Sequence, residues 1–315
     1  MMSENPFTIT FGKQPNKYIS RYEDTDKIIS TFNADNPVSQ TFLIEGIRGS
    51  GKTVLMTTVA KSLAEEKNWI VINLNPAMDL LSNFAIRLSE ECDSTPDDKL
   101  FKTLVKKKKR VMITVDEVVN DDNMKVFASQ FQIFVREDYP IFLIMTGLHE
   151  NIYEIQNNQA LTFLLRSPKI ITGPLSMLQI SRQYTEIFEI DSDQALNLAK
   201  ITKGYAFAFQ AMGVSFWNNR DKGLEKVLYE FDELLDDFVY KKVWTTLTAK
   251  EKEIVSIISK EEMKTGEICK KLKLSAGTFS KYREKLISKG IIDGDNYGVV
   301  SLSLPRFYEV IKSYI

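Results

Sequence analysis

The chain has 315 residues, 43% of them hydrophobic and 26% charged, with a net charge of -1. That length suits two or three domains of ordinary globular composition, and the near-neutral balance excludes a surface that is basic throughout, so any nucleic-acid contact must be a local patch. With no basic-then-apolar leader, no apolar run near the ~20 residues that cross a bilayer, and one histidine (His149), the expectation is a cytoplasmic protein without membrane association or a multi-histidine metal site.

From Thr41 to Gly46 the residues Thr-Phe-Leu-Ile-Glu-Gly read as a short buried strand that stops at a glycine. A helical pattern follows, with Val54, Leu55, Val59, Leu63 and Ala64 at three- and four-residue spacings. Between the two lies Gly46-Ile47-Arg48-Gly49-Ser50-Gly51-Lys52-Thr53, which satisfies Gly-x4-Gly-Lys-Thr in the strand-to-helix setting that the motif requires. The glycines let backbone N–H groups of Gly46, Arg48, Gly49, Ser50 and Gly51 turn toward phosphates, and the helix adds the positive end of its dipole. Lys52 is then the residue for the β- and γ-phosphates of ATP, and the Thr53 hydroxyl a ligand for Mg²⁺. The Arg48 side chain reads as a solvent-facing spacer.

Further apolar runs recur at Trp69 to Leu74, Val111 to Val115, Ile141 to Met145 and Ile170 to Ile171, separated by helical stretches. This alternation indicates a parallel sheet covered on both faces, ending near Gly173-Pro174. The Val111 strand ends in Asp116-Glu117. Asp116 is placed to hold magnesium and Glu117 to polarise the attacking water. Thr146, closing the Ile141 strand, is a candidate sensor of the γ-phosphate; the alternative is a threonine that merely ends a strand. Arg166 is a candidate arginine finger, in its own site or a neighbouring subunit's; the alternative is a surface arginine at a helix end. Lys106 to Arg110, five consecutive bases, read as a solvated edge, with nucleic-acid contact as the other option. The two cysteines, Cys92 and Cys269, read as idle thiols.

Beyond Pro174 the pattern is helical: Leu178 to Ile187, Gln194 to Ile201, Phe207 to Phe216, and Asp221 to Tyr240 with one stripe of Leu224, Val227, Leu228, Phe231, Leu235 and Phe238. Thr248-Ala249-Lys250-Glu251 is a capping box that opens another helix. Helices around Gly266 to Leu272 and Ser275 to Lys289 follow, then a hairpin from Ile291 to Leu304 turning at Gly294 to Gly298. Three helices and a hairpin make a winged helix-turn-helix. On its third helix Phe279, Tyr282 and Leu286 share a packing face, leaving Thr278, Lys281 and Lys285 outward toward duplex DNA. Residues 244–315 hold 13 Lys and Arg against 9 Asp and Glu, a net of +4; the rest of the chain holds 28 against 33, a net of -5. The expected fold is therefore α/β, a P-loop parallel sheet over residues 1–174, an all-helical lid over 175–240 and a winged helix over 241–315.

These motifs resemble the AAA+ superfamily, and within it the archaeal-type ATPases related to origin-recognition proteins and to STAND signalling ATPases. The entry segment Asn5-Pro6-Phe7, Phe11-Gly12 and Ile19-Ser20-Arg21-Tyr22 is similar to the family's, where a Gly-Arg-Glu-like motif lies near the adenine. That resemblance implies adenine contact by Arg21, although Ser20 and Tyr22 replace the glycine and glutamate. Leu161 to Arg166, Gly173-Pro174-Leu175 and Leu304-Pro305-Arg306-Phe307 also look like the family. Gly204-Tyr205-Ala206-Phe207-Ala208-Phe209-Gln210 is similar to its lid motif, with Ala206 in place of the usual proline. The resemblance implies a sheet in which the Thr146 strand lies between the P-loop strand and the Asp116 strand, and a homo-oligomer that depends on nucleotide. Three functions remain open: an ATPase that engages DNA through its winged helix, a STAND-like switch whose winged helix contacts protein, and a nucleotide binder with little turnover. Glu117 argues against the third.

Overall fold

The computed structural model describes residues 4–10, 14–258, 262–294, 296 and 298–315. It divides into two compact units, one made of Ser20–Gly46 and Gly51–Thr172, the other of Met1–Ile19, Ile47–Ser50 and Gly173–Ile315. The transition near Gly173 falls where the strand pattern ends. The second unit has one apolar core that runs from Ile180 through Phe231 to Phe307 and Ile311.

The sheet unit runs α1 (Tyr22–Asn33), β1 (Thr41–Glu45), α2 (Lys52–Ala64), β2 (Trp69–Leu74), α3 (Leu80–Cys92), α4 (Asp98–Lys106), β3 (Arg110–Val115), α5 (Asp122–Arg136), β4 (Ile141–Gly147), α6 (His149–Gln156), a 3₁₀ segment (Gln159–Arg166) and β5 (Lys169–Ile171). All its strands are parallel, in the order β2-β3-β4-β1-β5. Their side chains alternate between two cores. Phe42, Met112, Phe142 and Ile144 join Phe32, Val59, Leu63 and Trp69 on one face. Leu43, Ile113, Leu143 and Met145 join Phe84, Phe127 and Phe131 on the other. Burial on both faces explains why the central strands read as continuous apolar runs. Arg110 leaves the basic run that precedes it. Its guanidinium lies over the rings of Trp69 and Phe142, and it donates to the carbonyls of Phe32 and Ala34.

The helical unit contains α7 (Met177–Phe188), α8 (Ser192–Thr202), α9 (Ala206–Asn219), α10 (Leu224–Leu235), a π-turn (Asp236–Tyr240), α11 (Lys241–Thr245), α12 (Ala249–Ile257), β6 (Met263–Lys264), α13 (Thr265–Leu272), α14 (Ala276–Ser288), β7 (Ile292–Asp293), β8 (Val299–Leu302) and α15 (Phe307–Ile311). Two readings change here. The single helix expected from Asp221 to Tyr240 starts only after Gly223, at φ 83°, and gives way to the π-turn. The wider turn shifts the register, so Val239 and Tyr240 are buried while Phe238 of the expected stripe is exposed, as is Leu224 at the helix start. The hairpin is also part of a three-stranded sheet of order β6-β8-β7, because Met263 and Lys264 pair with Val300 and Val299. The capping box at Thr248 is present, with Glu251 buried against Lys289 Nζ at 3.0 Å. Phe11 and Gly12 of the entry segment and Asp295 and Tyr297 of the wing lie outside the described residues.

Phe7 is the main anchor of the N-terminal segment. It is buried among Tyr184, Phe188 and Phe209, with ring centroids 5.4 to 5.9 Å away. Gly213 makes room for it, since a Cβ there would lie 2.3 Å from the Phe7 ring. Gln210 fixes the same segment, accepting from Thr8 N at 3.1 Å and donating to Lys17 O at 2.6 Å. Phe7→Ala is therefore expected to cost about 3 to 5 kcal/mol. A urea titration followed by near-ultraviolet circular dichroism checks this; an unchanged midpoint would mean that the ring contributes nothing to the core.

Candidate functional site

The P-loop follows β1 because Gly46 ends the strand and Gly51 starts α2. Gly51, at φ 93°, is the residue before the helix, and Gly49 lies at φ 75°. Both conformations are disfavoured for residues with a Cβ. Leu55 N donates to Gly51 O at 3.0 Å, the first bond of the helix. Lys52 is buried, its Nζ donating to Gly46 O at 3.1 Å.

The strand order brings the remaining polar residues to this end of the sheet. Met145 pairs with Leu43 on one side and Val115 on the other, so Thr146 emerges beside Asp116. Thr53 Oγ1 donates to Asp116 Oδ2 at 2.8 Å, and Thr146 Oγ1 donates to Asp116 Oδ1. Thr146 is fully buried and also accepts from Glu117 N at 3.2 Å. Glu117 sits in the left-handed region at φ 53°, and its side chain is exposed. A left-handed non-glycine residue next to buried polar groups is a conformation that proteins keep at working sites. Lys52, Thr53, Asp116, Glu117 and Thr146 are thus brought to one end of the sheet by hydrogen bonds or chain adjacency.

Two further expected residues lie on other elements. Arg166 ends the 3₁₀ segment, exposed, two residues after the buried Leu164. Arg21 precedes α1, which packs on α2, and burial pulls its guanidinium below the ordinary value while Asp24 opposes the shift.

Sequence reasoning passed over a carboxylate immediately before the P-loop. Glu45, at the end of β1, has a side chain only 3% exposed. Its Oε1 lies 3.2 Å from His149 Nδ1 at the start of α6, and its Oε2 lies 3.8 Å from Lys169 Nζ of β5. Thr172 N and Oγ1 both donate to the Glu45 carbonyl. The only available signal was an acid ending an otherwise apolar strand.

The P-loop tip, Ile47–Ser50, belongs to the helical unit. Tyr205 Oη donates to Arg48 O, and Phe207 N at the start of α9 donates to Gly49 O at 3.0 Å. Burial pushes the Tyr205 phenol well above its ordinary pKa, and Arg48 opposes the shift. A Cβ at Gly49 would lie 2.2 Å from that hydroxyl. Ile47 meets Gly290, the residue between α14 and the wing, so closely that a Cβ there would lie 2.0 Å from Ile47 Cγ2. On α14, Phe279 and Leu286 are buried, and Thr278, Lys281 and Lys285 are exposed. Arg283 of the same helix turns back to donate to Gly294 O at 2.6 Å.

Residues 38–164 match a family described as an AAA domain, and residues 237–311 match a domain of unknown function, DUF8462. No curated protein matches the chain. Among solved structures, the Aeropyrum pernix ORC2 protein, in ADPNP–ADP complexes, superposes with a TM-score of 0.66 at 13% identity, over 96% of each chain. Cdc6p from Pyrobaculum aerophilum gives 0.53 at 14% identity, also over 96% of each chain. The Aeropyrum pernix ORC1 protein in complex with DNA gives 0.52 at 16% identity, over 96% of this chain and 94% of that one.

Proposed function

We propose that this chain, which has the fold of the origin-recognition group and an AAA domain match, is an ATPase that binds ATP with Mg²⁺, hydrolyses it, and uses the cycle to control a winged helix that contacts duplex DNA. One observation carries the nucleotide part: Thr53 and Thr146 hydroxyls converge on the Asp116 carboxylate beside the buried Lys52. These groups fit the metal, because a threonine hydroxyl and a carboxylate are hard oxygen donors of the kind Mg²⁺ takes alongside phosphate. Bound Mg²⁺ would supply positive charge against the β- and γ-phosphate oxygens. Lys52 supplies the protein's own cation at the same phosphates. Glu117 takes the proton of the attacking water, and its exposure leaves it open to water. Thr146 holds Asp116 and the Glu117 backbone in register. Arg21 at the adenine, Arg166 as a finger and a nucleotide-dependent homo-oligomer complete the proposal. Among the described residues no helix is long and apolar enough to cross a membrane.

Exposure of Lys281 and Lys285 on a net-positive winged helix supports the DNA contact. The P-loop tip supports a second reading, a STAND-like switch acting on a protein partner. Ile47 meets Gly290 next to α14, so a change at the tip would reach the winged helix directly. A labelled duplex titrated at several salt concentrations separates the readings. Phosphate contact predicts that Lys281→Ala plus Lys285→Ala makes the dependence of log K on log salt shallower by about 2. A wild-type slope in the double variant would remove the winged helix from the DNA contact and favour the protein-switch reading.

A further inference from the structure

The basic run before β3 is not absorbed by the nucleotide site. It lies at the N-terminal end of β3, whereas Asp116 follows the C-terminal end of that strand. The helix α4 that leads into it has two distinct faces. Leu100, Phe101 and Leu104 are buried in the sheet unit's core. At about 100° per residue, Lys99, Lys102 and Lys106 fall within roughly 60° of arc on the opposite side, and all three are exposed. Lys107 and Lys108 extend the exposed positive strip past the helix end, where Lys108 turns the chain at φ 51°.

Not every base of the run is available. Arg110 is committed to Trp69 and Phe142, and Lys109 Nζ donates to Lys67 O. Lys107 lies within electrostatic reach of Cys92, as do the acids Glu91 and Asp93, and is not counted as available. Asp97 is occupied in capping α4 through Leu100 N. Lys99, Lys102, Lys106 and Lys108 remain, and none of them forms an ion pair with another described residue.

We propose that Lys99, Lys102, Lys106 and Lys108 form a second surface for the phosphate backbone of duplex nucleic acid, separate from the winged helix. Charge complementarity identifies the occupant. The seven-residue step from Lys99 to Lys106 covers about 10 Å at 1.5 Å per residue, roughly three nucleotide steps of one strand at about 3.4 Å each. An all-lysine strip places point charges without the planar fork that reads bases, so contact is with backbone and independent of sequence. An anionic bilayer fits less well. Interfacial helices bury an apolar face in the lipid, and here that face is already buried in the protein, with Val105 the one exposed large apolar residue of α4 among the described residues.

The test uses the full chain and a labelled duplex of arbitrary sequence, titrated between about 50 and 200 mM salt. Four backbone contacts predict that Lys99→Ala, Lys102→Ala, Lys106→Ala and Lys108→Ala together lower the salt slope by about 3 to 4. Because these side chains are exposed, thermal melting and ATP binding should stay at wild-type values. Lys281→Ala plus Lys285→Ala, measured in parallel, reports on the winged helix alone. An effect in the quadruple variant with none in the double variant supports this surface and sinks the winged-helix contact, and the reverse result sinks this surface only. A wild-type slope in the quadruple variant overturns the proposal. Equal loss of binding to phosphatidylserine vesicles, with wild-type affinity for them matching that for duplex, also overturns it in favour of a lipid surface.

Discussion

Glu117→Gln protein is expected to bind ATP as the wild type does and to release phosphate about 10² to 10⁴ times more slowly, the range that a positioned general base contributes. The amide keeps nearly the same shape but is a poor proton acceptor. Because the Glu117 side chain is exposed and its left-handed turn is held through its own backbone N–H, the substitution leaves the hydrogen bonds among Asp116, Thr146 and Thr53 in place. Lys52→Ala should fail one step earlier. It removes the buried cation beside Gly46, so tight nucleotide binding is lost along with turnover. Measuring nucleotide affinity and phosphate release on both proteins separates the two roles. Wild-type turnover in Glu117→Gln would transfer the water-positioning role to another residue.

The second large effect is expected at Arg166. An arginine finger raises turnover by roughly 10³ to 10⁵ where it operates, and Arg166→Ala should lose that factor while binding nucleotide normally. The residue ends a 3₁₀ segment held by buried Leu161 and Leu164, with its own side chain exposed, which suits donation into a neighbouring subunit. If so, mixing Arg166→Ala with an excess of Lys52→Ala protein restores part of the activity, because each subunit keeps what the other lacks. Turnover that is lost and not rescued places the finger within the same subunit. Unchanged turnover reduces Arg166 to a surface charge.

Much of the candidate site was legible because its parts are local. A strand, a glycine loop and a helix form one continuous stretch from Thr41 to Ala64, and their chemistry depends on spacing along the chain. Asp116 and Glu117 were legible for the same reason, as acids that end an apolar strand. Glu45 was not. Its burial and its two cationic neighbours come from α6 and β5, more than 100 residues away, and only strand order brings them together. The stripe on α10 failed at Phe238 because helical periodicity assumes a constant turn, and the π-turn at Asp236–Tyr240 breaks it.

By itself the sequence determined an α/β fold with a helical C-terminal half, a glycine loop between a strand and a helix, and the residues available at the strand ends. Backbone conformation, turn chemistry and side-chain periodicity act over a few residues, so they can be read in order. The tertiary structure decided which of those residues meet. It set β4 between β1 and β3, so that Thr146 bonds to Asp116 across 30 positions of chain. It buried Phe7 against Gly213 and tied Thr8 to Gln210 across 202. It also turned Arg110 inward while leaving Lys99, Lys102, Lys106 and Lys108 in solvent. These outcomes depend on packing between distant segments, where the same side chain can be core, partner or surface according to what the fold places beside it.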